Sequence, residues 1–160
     1  MLRYEKVKEL LDRAQTYADK SSECKKVAVG SILMPHDKKV EIYGTNICYP
    51  LSCKLNGCRR MALYGEDSKN HRLPSDCRSL HSEIDAITQA AKFGISTQFA
   101  KLFVTRYPCE ACARAIVNAG ISEVYYGREQ EISEETENIF ASGHVNVYHV
   151  SEWTYVDTRR

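Results

Sequence analysis

The chain has 160 residues, 43% of them hydrophobic and 27% charged, with a formal net charge of +1. That length holds one ordinary domain with a full core, and the apolar fraction excludes a disordered chain. The near-neutral charge argues against a nucleic-acid partner, and no apolar run reaches the length of a membrane span.

Residues 3–20 predict an amphipathic helix, because Val7, Leu10, Leu11, Ala14, Tyr17 and Ala18 recur at spacings of three and four. The charged start shows no signal-peptide core, so a cytoplasmic protein is expected. In that compartment the seven cysteines are expected to be metal ligands or reduced thiols, not disulfides. Residues 27–34 are apolar and rich in β-branched side chains, residues 35–39 break the chain, and residues 40–43 alternate. That pattern predicts an antiparallel hairpin. Residues 44–80 read as a Cys-rich irregular insert, long enough to need a tether or a function. Ile84, Ile87 and Ala91 then share a helical face that Gly94 ends. Residues 101–105 form a short strand, and Pro108 suits the first turn of the next helix, which Gly120 ends. A strand at 121–126, a polar helix at 133–140 and a strand at 145–150 complete the chain. The order α-β-β-α-β-α-β-α-β predicts an α/β class fold, a three-layer α/β/α domain over residues 1–160 with a mixed five-stranded sheet.

The informative residues sit where two of these helices begin. His81, Ser82 and Glu83 open one, and Pro108, Cys109 and Cys112 open the other. H-x-E followed by P-C-x-x-C is the signature of zinc-dependent deaminases. One imidazole and two thiolates suit a zinc with its fourth position open to water. Helix N-termini favour the thiolates that Cys109 and Cys112 must become to bind metal. Glu83 is then placed to carry protons between water and a substrate nitrogen. The alternatives are a structural zinc or redox pair for the cysteines and a solvated first-turn acid for Glu83.

These segments resemble the cytidine/deoxycytidylate deaminase superfamily, and within it the deoxycytidylate (dCMP) deaminases. HSEIDAI is similar to that family's H-A-E-x-N-A-I, with Ser82 for alanine and Asp85 for asparagine. TRYPCEACARAIVNAGISEVYYG matches its strand, PCxxC helix and strand. VAVGSIL resembles its first core strand, and Tyr43-Gly44-Thr45-Asn46 resembles its G-Y-N-G loop. The resemblance implies a zinc cofactor and hydrolytic deamination of dCMP to dUMP with release of ammonia. It implies that Asn46 holds the nucleotide sugar, with Ser82, Tyr107 and Arg106 as further substrate contacts. Other substrates consistent with the signature are cytidine, a guanine-type base or a tRNA adenosine, and a non-catalytic zinc module is the alternative of a different class. Ile47 replaces a family glycine, and Pro50 lacks a following Arg-Gly, so the phosphate ligands are open among Arg59, Arg60, Arg72, Arg78 and Arg106. Each of these is alternatively a surface arginine. Tyr126 is expected in the core. The family also implies a homo-oligomer, with a hexamer as the family expectation, and dCTP and dTTP as effectors.

Relatives of this type carry a second, structural zinc near the insert. Close Cys and His spacing supports one here, because tetrahedral zinc tethers loops. The expected ligands are Cys53, Cys58, His71 and Cys77, with Cys24 able to replace one. The alternative is a set of buried or free thiols.

Overall fold

The computed structural model describes residues 3–37, 39–65, 77–129 and 133–153. Helix α1 (Tyr4–Ser21) buries Val7, Leu10, Leu11, Ala14 and Ala18, the stripe its sequence spacing dictates. Strands β1 (Gly30–Met34) and β2 (Ile42–Thr45) pair antiparallel, with Leu33 opposite Ile42 and Gly30 opposite Thr45. This register differs from the sequence expectation at both ends. Residues 27–29 precede the first strand, because the Val29 N–H donates to the Asn46 side chain instead of to a neighbouring strand. The second strand begins two residues later than expected, and Val40 lies exposed in the connection.

Gly44 and Thr45 therefore belong to the sheet, and the insert is shorter than 44–80. It holds β3 (Ile47–Cys48) and β4 (Ser79–Leu80), paired antiparallel as a separate two-stranded ribbon. Between them lie two short helices, α2 (Cys53–Asn56) and α3 (Arg59–Tyr64), where the sequence predicts irregular chain. The remaining elements follow the expected order: α4 (Ser82–Lys92), β5 (Lys101–Arg106), α5 (Glu110–Asn118), β6 (Glu123–Arg128), α6 (Glu134–Ser142) and β7 (Asn146–His149).

The large sheet runs β2-β1-β5-β6-β7. Strand β1 is antiparallel to both neighbours, whereas β5, β6 and β7 are parallel, so the five-stranded sheet is mixed. Side chains alternate between its faces. Ile32, Met34, Phe103 and Tyr125 meet α1 on one side. Leu33, Leu102, Val104, Val124 and Tyr126 meet Ala86 and Ala90 of α4, Ala113 and Ile116 of α5 and Phe140 of α6 on the other. The result is the three-layer α/β/α arrangement. None of the described helices is long and apolar enough to cross a membrane.

Two buried polar contacts lock α4 to the sheet. The Thr45 N–H donates to Asp85 Oδ2 at 2.9 Å, and Ser31 Oγ donates to the Ser82 carbonyl at 2.8 Å. Thr45 Oγ1 also donates to the Val29 carbonyl at 3.1 Å, which ties β2 to the segment before β1. Gly44 makes the approach close. A Cβ there would lie 2.2 Å from the Ser82 carbonyl oxygen and 2.6 Å from the Ala86 nitrogen. Only a residue without a side chain lets β2 lie against the first turns of α4.

Candidate active site

His81 and Cys109 are the N-cap residues of α4 and α5, each with extended backbone before the helix starts. Cys112 lies three residues past Cys109, so one helical turn brings its sulfur to the same side. His81 Nδ1 is 3.5 Å from Cys109 Sγ and 3.4 Å from Cys112 Sγ. The three donor atoms lie within 4.8 Å of one another, and this is the sole such His/Cys/Asp/Glu cluster among the described residues. One nitrogen and two sulfurs at that separation fit a single tetrahedral zinc with one position left open.

The electrostatics fit a cation as well. Cys109 is pulled down to about 3, chiefly by a hydrogen bond from Cys112 against the opposing effect of burial, with His81 adding a second bond. Cys112 moves the opposite way, because it shares its proton with Cys109, is buried and faces the Glu83 carboxyl. A bound cation would favour both sulfurs as thiolates. The His81 imidazole is raised by its hydrogen bond to Cys109, with burial opposing and the Glu83 charge assisting.

Glu83 is 4% exposed. Burial pushes its carboxyl above the ordinary carboxylate range, with the His81 charge pulling the other way. Ser82 Oγ donates to Glu83 Oε2 at 3.0 Å and so orients the carboxyl. A buried acid raised toward neutrality is suited to taking up and giving back protons.

Glu83 faces a cavity of about 160 Å³ together with His81 and Cys109. Val27, Val29 and Tyr107 form its apolar wall, and Asn46 and Arg106 its polar rim. The Asn46 Oδ1 accepts from the Val29 N–H at 2.6 Å, which fixes the amide and leaves Nδ2 to the cavity. The Tyr107 ring is buried edge-on against Tyr126, centroids 4.8 Å apart, and the far side of Tyr126 stacks on the exposed His149 ring.

The structure therefore gathers His81, Glu83, Cys109, Asn46, Arg106 and Tyr107 around one space. Ser82 lies behind that wall, buried, and touches Glu83. Arg59 is exposed on α3, and the Arg78 carbonyl accepts from the Tyr49 N–H at 3.0 Å. Arg60 is half-buried with its Nε enclosed, and its charge is felt at His81. Arg72 and His71 lie outside the described residues. Cys53 meets Cys48, which is not in the expected second ligand set, and burial followed by that hydrogen bond pushes the Cys53 thiol up to about 12. Cys24, also pushed up by burial, lies in the fields of Cys48 and Cys77. The described insert cysteines share a neighbourhood, but their sulfurs do not converge as those of the His81 cluster do. Val27 and Val29 as cavity wall, and Asp85 as the anchor of β2, were not singled out in the sequence. The replacement of the family's asparagine by Asp85 is the signal that marks the last.

A family model described as MafB19-like deaminase matches residues 6–154. ComE operon protein 2 of Bacillus subtilis is 31% identical over 132 residues, which is 81% of this chain and 63% of the relative. The deoxycytidylate deaminase of Saccharomyces cerevisiae is 28% identical over 133 residues, 82% of this chain and 41% of its own. The chain thus spans less than two thirds of the length of these curated relatives. The crystal structure of dCMP deaminase from the cyanophage S-TIM5 in complex with dCMP and dUMP superposes with a TM-score of 0.68 at 23% identity, covering 93% of this chain and 99% of that one. At that identity the match establishes a shared fold.

Proposed function

Because the chain belongs to the MafB19-like deaminase family, we propose that it hydrolyses dCMP to dUMP and ammonia, with zinc held by His81, Cys109 and Cys112. One observation carries the reading: three convergent metal donors, two of them lining the cavity, stand beside a buried carboxyl that burial pushes above the ordinary carboxylate range. When bound, zinc supplies water activated for attack at neutral pH. Glu83 Oε2, steadied by Ser82, would carry two protons in turn: one from the water to the ring nitrogen, and a second, given up by the attacking oxygen as it becomes the ring carbonyl, to the amino group that leaves as ammonia. Val27, Val29 and Tyr107 enclose the base and exclude bulk water. Asn46 Nδ2 donates to a sugar oxygen. The S-TIM5 enzyme, crystallised with dCMP and dUMP, supports the choice of substrate.

The test is ammonia release from dCMP, CMP, deoxycytidine and cytidine in parallel, using zinc-replete protein. Turnover of dCMP far above the other three supports the proposal. No turnover of any, with zinc bound, moves the substrate to another base or to RNA.

The insert cysteines support a second, structural zinc, with Cys53, Cys58, His71 and Cys77 as ligands and Cys24 as a substitute. Elemental analysis of the purified protein is expected to give about two zinc ions per chain, one for each tetrahedral site. A ratio near one refutes the second site. A homo-oligomer responsive to dCTP and dTTP is proposed on family resemblance alone.

A further inference from the structure

We infer that Arg106 distinguishes a nucleoside 5′-monophosphate from the bare nucleoside at this site, an assignment that rests on the deaminase reading above. Alternation along β5 places Arg106 on the face that Leu102 and Val104 present to α4 and α5. That is the face from which His81 and Cys109 reach the cavity, and among the described residues Arg106 is the one guanidinium in the cavity wall. Other arginines of the frame are engaged. Arg13 pairs with Glu41, Arg114 with Glu135, and Arg128 donates to Gln15 and to the Thr105 carbonyl. The Arg106 side chain makes no ion pair or hydrogen bond with the other described residues, although it is half-buried. A guanidinium keeps its charge at any working pH, and holding that charge partly out of water without a counter-ion is costly. An anion brought by the ligand supplies the missing partner.

The size of the space says which part of the ligand that is. A cavity of about 160 Å³ is smaller than the roughly 300–1,000 Å³ that encloses a drug-sized ligand. It holds the base, and the sugar and its 5′ substituent extend toward the polar rim of Asn46 and Arg106. A phosphate monoester there offers the oxygens that a planar guanidinium binds two at a time. Arg60 is the rival candidate, but it stands on the insert with its Nε enclosed by protein.

The experiment measures dissociation constants of dUMP and deoxyuridine by calorimetry for the zinc-loaded wild type and for Arg106→Gln, Arg106→Lys and Arg60→Gln. Wild type is expected to bind dUMP more tightly than deoxyuridine. Arg106→Gln should reduce that ratio by about tenfold to a hundredfold, the loss of a charge-assisted contact. Arg106→Lys should keep part of it, because a point charge remains without the fork. Equal weakening of both ligands in Arg106→Gln would mean a structural role and overturns the assignment. So does an unchanged ratio, or a larger loss in Arg60→Gln than in Arg106→Gln. If wild type prefers dUMP through Arg106 yet releases no ammonia from dCMP, the dCMP reading falls and the assignment stands. If wild type does not distinguish the two ligands, the assignment falls whatever the deamination assay shows.

Discussion

The frame that carries the metal donors and the insert that follows Asn46 are built by different physics. In the frame, α4 and α5 cover the sheet with Ala86, Ala90, Ala113 and Ile116, all fully buried, and buried hydrogen bonds fix α4 in place. In the insert, α3 buries none of its residues, α2 buries only Cys53, and Leu55 is 86% exposed. Packing therefore holds the site, whereas the described part of the insert buries little and is tied down by its thiols and by the β3–β4 ribbon. The lesson is that the chemistry belongs to the well-packed half, and that the insert can vary without moving it.

The sharpest way to break this contrast is at Glu83. Replacing it with Gln should leave the fold and the bound zinc intact and lower the rate of ammonia release by about 10²–10⁴-fold, the usual worth of a positioned proton carrier. Retained activity with zinc bound would remove the proton-transfer role. Next in size is Gly44→Ala, which drives a methyl into the backbone of α4. A loss of about 3 kcal/mol is expected in urea unfolding, at the upper end for overpacking, together with lower activity because α4 carries Glu83. Asp85→Ala should follow, since it strands the buried Thr45 N–H; about 1–3 kcal/mol is expected in the same measurement. The smallest effect belongs to the insert. Leu55 is 86% exposed, so Leu55→Ala should change stability by no more than about 0.5 kcal/mol. If Leu55→Ala matched Gly44→Ala, the insert would be packed as tightly as the frame and the comparison would fail.

Legibility in the sequence divides along the same line. The helices and strands of the frame were readable because burial imposes a period: α1 shows it over 18 residues, and PCEAC announces both its helix and its chemistry. Gly44 looked like the start of a loop because a glycine that admits a helix reads the same as one that makes a turn. Residues 27–29 read as strand because Val27 and Val29 are apolar, yet they pack on the core and line the cavity ahead of β1 without joining its ladder. The short helices of the insert were not readable, because segments of four and six residues are too short to show a period. The five cysteines outside the His81 cluster signalled chemistry without partners. Spacing along the chain does not say that Cys48, two residues after Asn46, folds back onto Cys53.

The bond between Asn46 Oδ1 and the Val29 amide has a last consequence, in what the cavity refuses. The Val29 N–H takes one of the two lone pairs of Oδ1 and fixes which end of the carboxamide is which, so Nδ2 is the end without a protein partner among the described residues. If Asn46 meets the sugar as proposed, a hydroxyl or ether oxygen there would find a donor. An ammonium in the same place would meet that donor, and turning the amide over would strand Val29. Amino-sugar analogues should then bind more weakly for a reason set by a main-chain hydrogen bond rather than by shape.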